Sequence, residues 1–219
     1  MPTIEEFADR SNPEVSVQGF LHRPTTSNVN GLVLTHGAGA NCQTLLLTSF
    51  AEAFCAEGLT VLRCDLPFRQ TRPHGPPARG SAERDQKGLQ AAVASMRALV
   101  KGEVFLGGHS YGGRQASLVS ADKPGLVERL LLLSFPLHPP KRPEVLRSAH
   151  FPSLRTPALF VHGARDGFGT PEEMDVALGL IPVPTRLILV AGAGHELMTN
   201  LNREVLIAQI VPAFLSFAN

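Results

Sequence analysis

Short uninterrupted apolar runs, each separated from the next by a helix-length segment, decide what this sequence can fold into. The runs are Gly31–Thr35, Thr60–Cys64, Val104–Leu106, Leu130–Leu133, Ala158–Val161 and Leu187–Val190. A strand apolar at consecutive positions is buried on both faces, and strands alternating with helices are joined by parallel crossovers. Between the runs, Leu46, Phe50 and Phe54 recur at helical spacing ahead of Gly58, a glycine stop. Leu89, Ala92, Val93, Met96, Leu99 and Val100 form a second stripe, with Ser81 placed to cap it and Gly102 to end it. A helix begins near Tyr111. Thr170-Pro171-Glu172-Glu173 combines a cap, a proline at the first helical position and a glutamate three after the cap. The last helix carries Leu201, Val205, Ile210 and Phe214, with a kink expected at Pro212.

Glu14–His22, which alternates Val15, Val17 and then Phe20, reads as an antiparallel edge strand ahead of the parallel ones. The expected architecture is a single α/β domain over 1–219 with an N-terminal extension at 1–13. It has about seven mostly parallel strands, with helices on both faces. Pro67–Gly80, rich in proline, glycine and arginine, reads as a loop.

Composition narrows the function classes. Apolar residues make up 43% and charged residues 18%, which supports a filled core and argues against disorder. A formal net charge of +1 gives no electrostatic pull toward nucleic acid. No apolar run approaches the length of a membrane span, and the acidic start MPTIEEFADR does not read as a signal peptide. Cys42, Cys55 and Cys64 are odd in number and fit no metal spacing. Free thiols in a soluble cytoplasmic protein, with no metal or organic cofactor, are the expectation.

Open parallel sheets bind ligands at the carboxyl ends of their strands, so the residues following each run carry the chemistry. Val104–Leu106 leads into Gly107-Gly-His-Ser110-Tyr-Gly-Gly113. This is G-x-S-x-G between a strand and a helix, where a tight turn thrusts the serine above the sheet as a nucleophile. A serine hydroxyl needs a base within hydrogen-bond reach. Leu187–Val190 leads into Ala-Gly-Ala-Gly-His195, which can supply it. The base needs an acid to fix its tautomer and stabilise the imidazolium, and Ala158–Val161 leads into His-Gly-Ala-Arg-Asp166. The developing oxyanion needs backbone donors. Leu32–Thr35 leads into His36-Gly-Ala38-Gly39-Ala, and the N–H groups of Ala38 and Tyr111 are the expected pair.

With Ser110, Asp166 and His195 in that order, the sequence resembles the α/β-hydrolase superfamily over nearly its whole length. It is most similar to the small dienelactone-hydrolase-like group. The matching segments are Leu34-Thr-His-Gly-Ala-Gly39, Gly107-Gly-His-Ser-Tyr-Gly-Gly-Arg114, His162-Gly-Ala-Arg-Asp-Gly-Phe-Gly169 and Gly192-Ala-Gly-His195. The resemblance implies an α/β-hydrolase fold and a serine hydrolase acting on a small-molecule acyl substrate. Dienelactone hydrolases proper use cysteine where this chain has Ser110, so that substrate is not implied. Some relatives of the group serve as scaffolds, which implies an alternative: a binding module that engages a protein partner.

Further candidates for substrate contact are His36, Gly39, Arg69, Arg72 and Arg114. His36 reads more simply as a brace for its own loop. Arg69 and Arg72 sit in Pro67–Gly80, where they could clamp an anionic substrate. Arg114 is placed to brace the loop after the first parallel strand or to touch substrate. The roughly twenty residues between Phe135 and Pro157 are too few for a large lid, so an open site is expected.

Overall fold

The computed structural model describes residues 1–217. Eight strands are present: β1 (Thr3–Asp9), β2 (Val17–Arg23), β3 (Gly31–Thr35), β4 (Thr60–Asp65), β5 (Val104–His109), β6 (Leu130–Leu133), β7 (Ala158–Gly163) and β8 (Thr185–Val190). They form one sheet in the order β1-β2-β4-β3-β5-β6-β7-β8. From β4 to β8 every pairing is parallel. β2 pairs antiparallel with β4, and β1 antiparallel with β2 in a register from Thr3↔Arg23 to Asp9↔Val17. The strand count therefore exceeds the expected seven by β1. The 1–13 extension supplies it, and the Glu14–His22 strand, observed at Val17–Arg23, lies one place in from the edge. β1 is exposed along most of its length, so its place rests on backbone pairing more than on buried side chains.

Six helices cover the sheet: α1 (Leu45–Ala56), α2 (Pro67–Thr71), α3 (Ser81–Leu99), α4 (Tyr111–Asp122), α5 (Pro171–Leu178) and α6 (Arg203–Leu215). α1 and α6 close one face, where Phe50, Phe54, Phe105 and Phe214 meet. α3, α4 and α5 close the other, against Val33, Leu62, Leu106, Leu132 and Phe160. Helix spacing in the sequence anticipates the inward face of α1 and that of α3 as far as Met96, whereas Leu99 is exposed and Val100 lies past the helix end. For α6 the expected face is partly wrong. Leu206, Ile210, Val211 and Phe214 point inward, whereas Leu201 precedes the helix and it and Val205 are exposed.

Three local expectations need correction. Gly80, at φ +86°, caps α3 in place of Ser81, because the turn entering the helix is left-handed. α3 stops at Leu99, and Gly102 belongs to the following turn, where its amide donates to the Val29 carbonyl. Pro67–Gly80 is not wholly loop, since its first residues form α2. Pro67 starts that helix at a position where no amide is needed, and Asp85 accepts from the Phe68 amide at 3.0 Å. The Thr170 capping box forms as read, with both reciprocal bonds present. Between β6 and β7 the chain makes only a 3-10 turn at Phe151–Ser153, so there is no lid domain.

Candidate active site

The strand order reverses at β3. The chain runs from β3 to β4 on one side and returns to β5 on the other, which opens a crevice at the carboxyl ends of β3 and β5. Ser110 stands there, between the last residue of β5 and the first of α4. Its φ of +50° and ψ of −115° mark the strained turn expected of a nucleophile elbow. The glycines around it are forced by close approach. A side chain at Gly108 would meet the Gly113 amide nitrogen at 2.6 Å, and one at Gly112 would meet the His36 carbonyl oxygen at 2.5 Å. The turn is pinned on both flanks: the Ser110 amide donates to Leu133 O at 2.8 Å and the Gly112 amide to His36 O at 3.1 Å.

Three strand ends bring the predicted triad together. Ser110 Oγ lies 2.7 Å from His195 Nε2, and His195 Nδ1 lies 2.8 Å from Asp166 Oδ2. The carboxylate fixes the tautomer, with the proton on Nδ1, so Nε2 accepts from the serine hydroxyl. Asp166 Oδ1 accepts from the Phe168 amide at 2.9 Å. Burial pushes the Asp166 carboxyl up. The hydrogen bond and charge of His195, the Phe168 amide and His162 together outweigh it and hold the carboxyl below its ordinary value. The two loops are tied side by side, since the Arg165 amide donates to Ala193 O at 2.9 Å.

The expected oxyanion donors lie on the loop after β3 and at the first residue of α4. Among the described residues, the Ala38 and Tyr111 amides find no protein acceptor, while the neighbouring Gly112 amide is engaged by His36 O. Gly39 is exposed at the rim.

Among the candidate substrate contacts, His36 takes the bracing role expected of it and Arg69 is corrected. His36 is fully buried. Its Nδ1 bonds Gly37 O at 2.8 Å and its Nε2 accepts from the Leu66 amide at 3.1 Å, so it braces its loop. Arg69 is also buried, and its guanidinium is engaged by the carbonyls of Ala38, Ala40, Arg72 and Gly75 at 2.7–2.9 Å. It holds the oxyanion loop against α2 and has no free donor face for an anion. Arg72 is exposed, and its Nε donates to His74 O at 3.1 Å within its own turn. Arg114 is half-buried, with its Nε buried and unpartnered.

Sequence reasoning missed three residues that shape the site. His109 Nε2 donates to the His195 backbone carbonyl at 2.9 Å, and burial pushes its imidazole below the ordinary histidine value. Its position just before the nucleophile was the available signal. Phe168 stacks on the His195 ring at 4.1 Å between centroids. His162 Nε2 donates to Gly169 O at 2.8 Å, leaving Nδ1 unpartnered 3.8 Å from Asp166 Oδ2. The last two lie in the His162–Gly169 segment that carries the resemblance, which was the available signal.

An alpha/beta hydrolase domain model matches residues 28–215. Among solved structures, the chain superimposes on an alpha-beta serine hydrolase homologue from Coxiella burnetii with a TM-score of 0.77 at 18% identity, covering 97% of each chain. Est1E from Butyrivibrio proteoclasticus gives 0.76 at 16% identity, over 96% of this chain and 97% of that one. A dienelactone hydrolase from Anabaena variabilis gives 0.75 at 21%, over 98% and 97%. No helix among the described residues is long and apolar enough to cross a membrane. The elbow at the sheet's switch point, the fold and the family match lead to one assignment: the chain belongs to the α/β-hydrolase family.

Proposed function

We propose that the protein is a serine hydrolase that cleaves a carboxylic ester or related acyl bond through an acyl-Ser110 intermediate. The supporting observation is the unbroken relay Ser110 Oγ–His195 Nε2 (2.7 Å) and His195 Nδ1–Asp166 Oδ2 (2.8 Å). In the acylation half, His195 Nε2 takes the hydroxyl proton as Ser110 Oγ bonds to the substrate carbonyl carbon. Negative charge gathers on the carbonyl oxygen, where the Ala38 and Tyr111 amides stabilise it. The tetrahedral intermediate collapses, the bond to the leaving group breaks, and His195 gives that group its proton. Water then repeats the sequence on the acyl-enzyme, with His195 as base, and restores Ser110. Asp166 stays ionised and holds the imidazolium. With no lid domain, the crevice suits short acyl esters, thioesters, lactones or amides better than long-chain triglycerides. The three free cysteines are all buried and fit a reducing compartment such as the cytoplasm.

The test is Ser110→Ala against activated short-chain esters, alongside fluorophosphonate labelling of the wild type. Loss of turnover in a folded variant, with the label mapped to Ser110, is the expected result. Wild-type rates in Ser110→Ala, or an unlabelled but folded wild type, would end the proposal.

A further inference from the structure

His195 stands on a loop whose own sequence does little to stiffen it. Ala191-Gly-Ala-Gly194 leads into it, and Gly192 lies at φ +74°, in the left-handed region. The loop is tied to the end of β7 by the Arg165 amide, which donates to Ala193 O. At His195 itself the backbone makes one hydrogen bond among the described residues: its carbonyl accepts from His109 Nε2 at 2.9 Å. A carbonyl only accepts, so the proton of this bond sits on Nε2.

His109 is well held for that task. It is the last residue of β5, in register with Leu133 of β6, and it is buried. Another edge of its ring lies against the oxyanion loop, where a side chain at Gly37 would meet His109 Nδ1 at 3.1 Å. The His109 and His195 rings are 5.4 Å apart between centroids and tilted by 44°. The next residue, Ser110, reaches the His195 imidazole through its Oγ at 2.7 Å. Consecutive residues of the elbow thus hold the same histidine twice, Ser110 by its ring and His109 by its backbone. We propose that His109 is a positioning residue, whose Nε2–H bond to the His195 carbonyl sets the pose of the base against Ser110 and Asp166. As a statement about catalysis this rests on the serine-hydrolase reading. His195 bridges partners at 2.7 and 2.8 Å, so a shift of its loop spoils both contacts together. A misplacement of about 1 Å is enough to cost on the order of a hundredfold in rate.

The experiment compares His109→Gln with His109→Met, two side chains of similar length of which only the first can donate to a carbonyl. Expected with 4-nitrophenyl acetate is a kcat about ten- to a hundredfold lower in His109→Met with KM changed by less than about twofold, and most of the rate kept in His109→Gln. Both variants should melt near the wild type. The low-field NMR signal of the His195 Nδ1 proton reports the bond to Asp166 without turnover. It should broaden in His109→Met and persist in His109→Gln. In the wild type the His109 Nε2 proton should exchange slowly with solvent. Equal kcat in all three proteins, or equal losses in the two variants, overturns the proposal. So does a wild-type His109 that carries its proton on Nδ1, a result that needs no variant to fold. If the wild type cleaves no ester, the hydrolase reading falls alone, and the His195 Nδ1 signal still decides whether His109 positions that ring.

Discussion

Arg69 and Arg114 flank the same serine from opposite sides of β5, and the fold treats them in contrary ways. On the β3 side, Arg69 is surrounded by four carbonyls and its charge is fully engaged. The groups beside it are equally settled: His36 has two partners, and the Gly112 amide closes the elbow onto the same loop. On the β6 side, Arg114 keeps a buried Nε with no acceptor, and burial and then its charge push the nearby His150 down to about 4. One flank is finished by the fold, as machinery that stabilises a transition state without reorganising must be. The other leaves a buried donor of a cationic side chain unsatisfied.

The contrast can be broken by substitution. The largest effect is expected in the relay that both flanks serve, where one acid orients the base and nothing substitutes for it. Asp166→Asn should keep the fold and lower kcat by about 1,000- to 10,000-fold, because the wrong tautomer of His195 then faces Ser110. Steady-state kinetics with an activated ester will show it, and a loss under tenfold would mean the acid is dispensable. Next is Arg69→Ala, which strips four carbonyls of one donor. It should destabilise the protein by about 2–4 kcal/mol in denaturant melts and lower kcat at least tenfold. Arg114→Met should do the reverse to stability. Methionine keeps most of the packing and removes an unpaired charge, so melts should show no loss or a gain of up to about 1 kcal/mol. Equal destabilisation by the two substitutions would erase the distinction between the flanks.

The smallest effect is on protonation. The His150 pKa of about 4 lies below the unfolded value near 6.5, so the unfolded chain binds more protons between those pH values. Its contribution to stability is therefore complete above about pH 6.5 and is lost as pH falls toward 4. His150→Gln should flatten the acid limb of stability against pH. In Arg114→Met the His150 pKa should rise, though not fully, since burial is the larger of its two causes. An NMR titration of the histidines in that variant will show no movement if the charges are not close.

The parallel strands, the elbow and the relay were legible because each depends on local order. A buried strand must be apolar at successive positions, and chemistry follows where such a strand ends. Ser110, Asp166 and His195 were found that way without any knowledge of their distances. β1 was not legible, because Thr-Ile-Glu-Glu-Phe-Ala-Asp is an exposed edge strand held by pairing and shows no buried alternation. α2 was hidden by the proline and arginine around it. The fate of Arg69 could not be read, since four carbonyls from two loops are a tertiary fact. The approach of His150 to Ser117 joins an irregular segment to a helix, with no periodicity to reveal it.

Phe168, stacked on the imidazole, has a consequence for the order of events. One face of the His195 ring is shut by an aromatic wall, and its side chain is only 20% exposed. In the proposed reaction, the departing alcohol and the arriving water must then use the same doorway, along the uncovered edge that looks toward Ser110. They cannot pass each other there. The first product has to clear the imidazole before hydrolysis of the acyl-enzyme begins, which makes the two half-reactions strictly sequential.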